Sequence, residues 1–298
     1  MKIFSGTSNQ LLAGRIAGHL GTKLSGLEVF EFPDGEKRVR ILDRVVDEDT
    51  VVVQSTSTPV DENYMQLFFI IDALKRGGAK SVTAVVPYFG YQRQDHIFRE
   101  GEDVSVKMVA GILSRMELKE VVSVDFHSVK IREAFSIPAV ELSALPLFAK
   151  TIKEKGLDEG AFLVSPDMGG IRRIKILSEL LGDMPYVVIE KNRDLTTGAV
   201  SADKFSGQIG KKAIIVDDMI SSGGTIAVAA DLLKKNGVQE LYVFATHAVF
   251  SSEAPKVLQA SGVNSVYVSD SVFVPIEKMF PKLEILSLSQ VIADRLKS

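Results

Sequence analysis

One stretch of the chain gathers residue types that seldom meet without a chemical reason. Directly after the apolar run Ala213–Val216 come Asp217, Asp218, Met219, Ile220, Ser221, Ser222, Gly223, Gly224 and Thr225. A helix is expected next, with Ile226, Ala229, Ala230 and Leu233 on its apolar face. Two adjacent glycines let backbone N–H groups close on an anion with no Cβ in the way. Those donors, the start of the helix and the hydroxyls of Ser221, Ser222 and Thr225 suit a phosphate dianion. The two carboxylates cannot face that phosphate, so they are placed to accept hydrogen bonds from sugar hydroxyls or to meet a metal-bound sugar. The sequence therefore predicts a loop from Val216 to Thr225 that grips a sugar phosphate.

Other chemistry-bearing residues sit at the ends of apolar runs. Arg93 and Gln94, in YQRQD, follow the run Val82–Val86, and an arginine there can fork onto phosphate oxygens. His127 stands just beyond Val121–Val124 and beside Asp125, whereas His19 reads as an ordinary surface or core residue. Asp167, Gly169 and Gly170 close the run Phe162–Val164. FPDGE, residues 32–36, reads by itself as the turn of a β-hairpin, and IEKNRDLTTGAV, after Tyr186–Ile189, as a charged solvated loop. No zinc-type cluster is present.

These residues need elements to hold them. Short Val/Ile-rich runs alternate with segments of helical period along the whole chain, which implies mainly parallel sheets flanked by helices. The 298 residues suffice for two such domains. A repeat points the same way. DALKRGGAKSV, residues 72–82, returns as DLLKKNGVQEL, residues 231–241, and SNQLLAGRIAGHLG near the start is echoed by MGGIRRIKILSELLG near the middle. The expected domains are 1–142 and 143–284, with 285–298 returning to the first. The first copy carries QSTSTPVDEN after its strand, without the acidic pair, so only one copy keeps a working phosphate loop. A formal charge of -3 argues against a nucleic-acid surface, and the lack of cysteine excludes disulfides and thiolate chemistry. No apolar stretch reaches membrane-spanning length; QLFFIIDAL carries Asp72. Together with a start free of the basic flank and apolar run of a signal peptide, this suggests a cytoplasmic protein.

The loop resembles the phosphoribosyl-diphosphate signature of the type I phosphoribosyltransferase fold. FSGTSNQLLAGRIA, FPDGEKRVRI, PYFGYQRQD, VDFHS and SPDMGG, in that order over nearly the whole chain, narrow the resemblance to the ribose-phosphate pyrophosphokinase family. The resemblance implies transfer of the β,γ-diphosphoryl group of ATP to the anomeric hydroxyl of ribose 5-phosphate. It also implies two duplicated type I domains and a homo-oligomer in which the adenine loop reaches a neighbour's site. By the same resemblance Phe32 stacks on adenine, with Asp34, Gly35 and Glu36 around it, and Arg93 and Gln94 attend ATP. Asp95 and Arg99 are lesser candidates there. His127 and Asp167 become magnesium ligands, Gly169 and Gly170 offer amides to the transferred diphosphate, and Lys191 with Arg193 closes over the reacting phosphates. Arg193, Asp217, Asp218 and Ser221 to Thr225 take the ribose 5-phosphate. About six negative charges on the two substrates call for Mg²⁺ on physical grounds too. No residue stands out as a general base. A phosphoribosyltransferase would share the sugar loop but not FPDGE or YQRQD, and a catalytically dead regulatory subunit should have lost Lys191, Arg193, His127 or Asp167.

Overall fold

The computed structural model describes residues 1–193, 200–206, 209–251 and 253–298, and the side chains of all these except 190–193 and 200–206. The chain divides into two compact units. The first comprises Met1–Leu142, Ser271–Phe273 and Ser287–Ser298; the second comprises Ser143–Asp270 and Val274–Leu286.

The first unit runs β1 (Lys2–Ser5), α1 (Gln10–His19), β2 (Leu27–Glu31), β3 (Lys37–Ile41), β4 (Asp49–Val53), α2 (Val60–Arg76), β5 (Ser81–Val86), α3 (Ser105–Arg115), β6 (Glu120–Val124) and β7 (Ala139–Leu142). Its main sheet is parallel, in the order β1-β4-β5-β6-β7, and β2-β3 form a separate antiparallel ribbon. The valines of β4, β5 and β6 are buried on both faces, which is why they read as continuous apolar runs. Each fully buried Leu, Ile or Phe, such as Leu67, Ile70 and Ile71 of α2, contributes roughly 1.5–3 kcal/mol.

The second unit contains α4 (Leu145–Glu154), β8 (Ala161–Ser165), α5 (Ile171–Leu180), β9 (Tyr186–Arg193), β10 (Val200–Ser206), β11 (Lys212–Ile220), α6 (Gly224–Lys235), β12 (Glu240–Ala248), α7 (Ala254–Ala260), β13 (Ser265–Ser269) and β14 (Leu283–Leu286). Its sheet order is β10-β9-β8-β11-β12-β13-β14, parallel except for the β9-β10 hairpin. The last helix, α8 (Ser289–Lys297), lies in the first unit against α1, where Arg295 Nη2 reaches Glu120 Oε2 at 2.5 Å.

The repeat in the sequence is a repeat of structure. The order β1-β4-β5-β6-β7 in one unit answers β8-β11-β12-β13-β14 in the other. α2 and α6 end alike, with Ala79 N donating to Leu74 O and Val238 N to Leu233 O around Gly78 and Gly237, at φ 82° and 93°. That left-handed step closes a helix end at little cost only for glycine.

Candidate active site

In the second unit the chain leaves β8, passes through α5 to β9 on one side, and resumes at β11 on the other. The carboxyl ends of β8 and β11 therefore flank a topological switch point, the usual ligand crevice of an open α/β sheet. β8 pairs with β11 only as far as Val164↔Ile215, so β11 continues beyond it with that edge open. The expected loop from Val216 is in fact strand as far as Ile220, because β12 keeps pairing through Met219↔His247 and Ile220↔Ala248. The acidic pair thus stands on rigid backbone, and only Ser221 to Gly223 form the turn.

Four charged groups converge there. Arg173 of α5 extends Nη1 to 3.6 Å from Asp217 Oδ1 and Nη2 to 3.7 Å from Asp218 Oδ1. The side chains of Arg173 and Asp217 are each 15 % exposed and Asp218 less. Burial pushes the Asp217 carboxyl well above the usual carboxylate range, helped by the charge and hydrogen bond of Asp218 and by the charge of Asp167; Arg173 pulls it back. Asp167 caps the short turn Met168–Gly170 by accepting a hydrogen bond from Gly170 N at 3.3 Å. Gly170 is needed for close approach. A Cβ there would lie 2.3 Å from Ser165 Oγ and 3.6 Å from Arg173 Nη1. Arg173 was not singled out in the sequence, and its only signal is the basic run IRRIK directly after SPDMGG.

The turn that follows β11 is braced from outside. Phe250 N and Ser251 N donate to Ile220 O and Ser221 O, both at 3.0 Å, and the Ser221 and Ser251 hydroxyls lie 3.0 Å apart. Gly223 takes φ 80° at the N-cap of α6, and a Cβ there would press on Leu258 of α7 at 3.3 Å, so both backbone and packing call for glycine. Among the described residues none accepts a hydrogen bond from the N–H groups of Ser222, Gly223, Gly224 or Thr225. Such a set of donors is able to receive an anion. Ile226, Ala229, Ala230 and Leu233 are all buried beneath it.

The first unit carries the remaining candidates. FPDGE is the turn of the β2-β3 hairpin: Phe32 N donates to Glu36 O at 2.7 Å, Asp34 Oδ1 accepts from Glu36 N, and Gly35 sits at φ 89°. Phe32 is 37 % exposed, edge-on to Phe30 at 5.0 Å, and the Arg38 guanidinium lies 5.2 Å and 5.8 Å from the ring centroids of Phe30 and Phe32. Lys37 ties the hairpin to α2 through Glu62. Arg93 is exposed, and no carboxylate pairs with it among the described residues. Gln94 turns inward, its amide 3.2 Å from Asp103 O and 3.4 Å from Glu102 Oε2, so it braces the 91–103 segment. His127 is exposed and its backbone N–H donates to Gln92 Oε1 at 3.0 Å. Gln92, 1 % exposed, was passed over in the sequence although it links the YQRQD segment to His127. Burial works to raise Asp95, but hydrogen bonding and the charges of His96 and His127 leave its carboxyl below the usual range.

The switch point of the first unit is filled. Asp49 pairs with Ser81 and Lys212 with Glu240, at matching places in the repeat, so Gln54 stands where Asp217 does and Ser55 where Asp218 does. Gln54 Oε1 accepts from Ser8 N at 3.1 Å and Ser8 Oγ at 2.8 Å, and its amide donates to Gln66 and Asn63. A Cβ on Gly6 would lie 2.1 Å from Gln54 Oε1. Buried neutral amides occupy the space that acidic groups and an arginine line in the second unit.

Lys191 and Arg193 lie on backbone that is strand to its end at Arg193, paired with β10 across Lys191↔Ala202 and Arg193↔Val200, and not on a loop. Their side chains fall outside the described residues. No group of three or more His, Cys, Asp or Glu among the described residues is arranged to hold a metal by itself. No described helix is long and apolar enough to cross a membrane.

Comparison with known proteins adds to this geometry. A family model for the N-terminal domain of ribose phosphate pyrophosphokinase matches residues 1–116, and one for the phosphoribosyl synthetase-associated domain matches residues 197–298. A ribose-phosphate pyrophosphokinase of Fusobacterium nucleatum is 40% identical over 295 residues, 99% of this chain and 93% of that protein. One of Caldanaerobacter subterraneus is 38% identical over 294 residues, 99% of this chain and 93% of the relative. Among solved structures, the phosphoribosylpyrophosphate synthetase of Mycobacterium smegmatis superposes with TM-score 0.93 at 34% identity, covering 99% of this chain and 97% of that one.

Proposed function

The chain belongs to the ribose-phosphate pyrophosphokinase family, and from that premise we infer that it moves the β,γ-diphosphoryl group of ATP onto the anomeric hydroxyl of ribose 5-phosphate, giving 5-phosphoribosyl 1-diphosphate and AMP for nucleotide biosynthesis. The observation that carries this reading is the switch-point crevice of the second unit, where an acidic pair on rigid strand precedes an anion-binding helix start.

The phosphate of the sugar is assigned to the amides of Ser222 to Thr225 and the hydroxyls of Ser221, Ser222 and Thr225. Asp217 and Asp218 accept hydrogen bonds from the ribose hydroxyls, which fixes the anomeric oxygen relative to the diphosphate. The turn with Gly169 and Gly170 offers amides to the transferred group. In the first unit Phe32 supplies a stacking face for adenine, with Asp34, Gly35 and Glu36 around it, while the unpaired Arg93 meets ATP phosphates and Gln94 keeps its loop in shape. Lys191 and Arg193 are assigned the charge that develops as the bond to AMP breaks, on the strength of the family pattern.

The metal expected is Mg²⁺, for which Asp167 is the candidate ligand in the second unit and His127 the candidate in the first. Asp167 fits, being a carboxylate anchored by Gly170 N within electrostatic reach of Asp217. Mg²⁺ usually keeps several waters and takes its other oxygens from substrate phosphates. When bound it supplies neutralisation of the phosphate charge. The enzyme is expected to be a homo-oligomer in which the exposed Phe32 hairpin serves a neighbouring copy.

The reading is tested by AMP formation from ATP that depends on ribose 5-phosphate and on Mg²⁺. Lys191→Ala should lower turnover by ~10²–10³ while both substrate affinities move only a few-fold. AMP released without ribose 5-phosphate, or near-normal turnover in that variant, would count against it.

A further inference from the structure

We propose that Arg173 is a positioning residue for the sugar, holding the carboxylates of Asp217 and Asp218 side by side so that both accept hydrogen bonds from the ribose. The proposal rests on the sugar assignment above and adds a residue to it.

The geometry is specific. One nitrogen of a single guanidinium faces Asp217 at 3.6 Å and another faces Asp218 at 3.7 Å. The guanidinium spreads its charge over two nitrogens in a fixed plane and so sets the spacing of the two carboxylates, which a single ammonium nitrogen does less strictly. Successive residues of a strand point to opposite faces, so two neighbouring aspartates would by default diverge. A shared cation draws both towards one place. It also offsets the repulsion among Asp217, Asp218 and Asp167, which would otherwise turn one carboxylate aside.

The duplicated unit provides a control within the same chain. α1 and α5 end at equivalent glycines, Gly21 and Gly182, and counting back from these sets Leu12 where Arg173 stands. Leu12 is buried apolar, and its unit has Gln54 and Ser55 in place of the aspartates. The arginine and the acidic pair occur together in one unit and are absent together from the other, while the helix and strands that carry them are shared. The co-occurrence ties the arginine to the aspartates and not to the fold that the two units share. Arg172 and Lys175 of the same helix are exposed, so the inward turn of Arg173 is not a general trait of that basic run. The guanidinium lies at ordinary contact distance from the turn, 3.6 Å from where a Cβ on Gly170 would stand.

The experiment compares wild type, Arg173→Leu and Arg173→Lys by steady-state kinetics in both substrates, with a thermal melt of each. Arg173→Leu should raise KM for ribose 5-phosphate about ten- to a hundredfold, the loss expected for charge-assisted contacts, with KM for ATP within about twofold. Arg173→Lys should fall between wild type and the leucine variant. An unchanged KM for ribose 5-phosphate, or an equal rise in both KM values, overturns the proposal. So does a lowered melting temperature with kinetic constants unmoved, since that marks a structural role. If the leucine variant does not fold, the lysine variant decides by the same criteria, and failure of both to fold assigns Arg173 to stability and overturns it. Wild type that makes no AMP from the two substrates defeats the functional reading itself, whatever the variants do.

Discussion

At Asp217 a carboxylate is buried next to Asp218 and near Asp167, and burial first, then their charges, raise its affinity for a proton above the ordinary range. The folded-state value lies above the unfolded one, so the native state binds the proton more readily and stability falls as pH rises through that window. Asn is neutral throughout. Asp217→Asn should therefore melt above wild type at neutral pH, with the gap narrowing as pH is lowered towards the ordinary carboxylate range. The same variant swaps an acceptor for a donor, so KM for ribose 5-phosphate should rise by about tenfold or more with ATP little affected. A lower melting temperature with unchanged kinetics would contradict both halves. Stability given up for a ligand is common at binding sites. The aspartates stand out in the sequence, since an acidic pair before Ser-Ser-Gly-Gly-Thr puts hydrogen-bond acceptors suited to a sugar next to donors suited to an anion within one strand-to-helix passage. Arg173 does not, because three basic residues in IRRIK look like one solvated face, and only the 3.6-residue period turns one of them inward. Gln92 was hidden for a similar reason, as a polar residue between Tyr91 and Arg93 gives no sign of being buried.

Among the elements, the buried strands were the easiest to read and the extended β11 the hardest. Val51–Val53 and Val82–Val86 are covered on both faces, so their composition declares them. Asp217 to Ile220 stay in the sheet because their backbone still pairs with β12, a partnership that side-chain polarity conceals. The β2-β3 hairpin was legible from FPDGE, but not its chemistry, since Phe30 and Arg38 are brought to Phe32 only by cross-strand pairing of Phe30 with Arg38. The hairpin presents an exposed phenyl ring with a guanidinium beside it, anchored to α2 by Lys37 and Glu62. Stacking of a base on such a ring is worth ~1–3 kcal/mol. Phe32→Ala should raise KM for ATP by about ten- to a hundredfold while leaving KM for ribose 5-phosphate and the melting temperature near wild type. Unchanged ATP saturation would remove adenine from this hairpin.

On the scale of the whole chain, duplication raises the question of how many sugar sites one molecule has. Both units offer a switch point between equivalent strands, and fold alone would allow two. The first is filled by Gln54, whose oxygen accepts from Ser8 N and Oγ while its amide donates to Asn63 and Gln66. The second is lined by Asp217, Asp218 and Arg173, with the helix start of α6 after them. Titration calorimetry with ribose 5-phosphate in the presence of Mg²⁺ should therefore find one site per chain, lost altogether in Asp217→Ala. Gln54→Asp tests the reason for that number. If acidity alone made a sugar site, the variant would gain a second one. The packing argues otherwise, because a carboxylate in place of the amide deprives Asn63 and Gln66 of their donor and buries a charge with no arginine facing it. An unsatisfied buried group of this kind costs about 1–3 kcal/mol, so Gln54→Asp should melt lower and still bind one sugar per chain. A stoichiometry of two in that variant, or in wild type, would mean that the filled crevice opens to ligand and that the two units are functional equals.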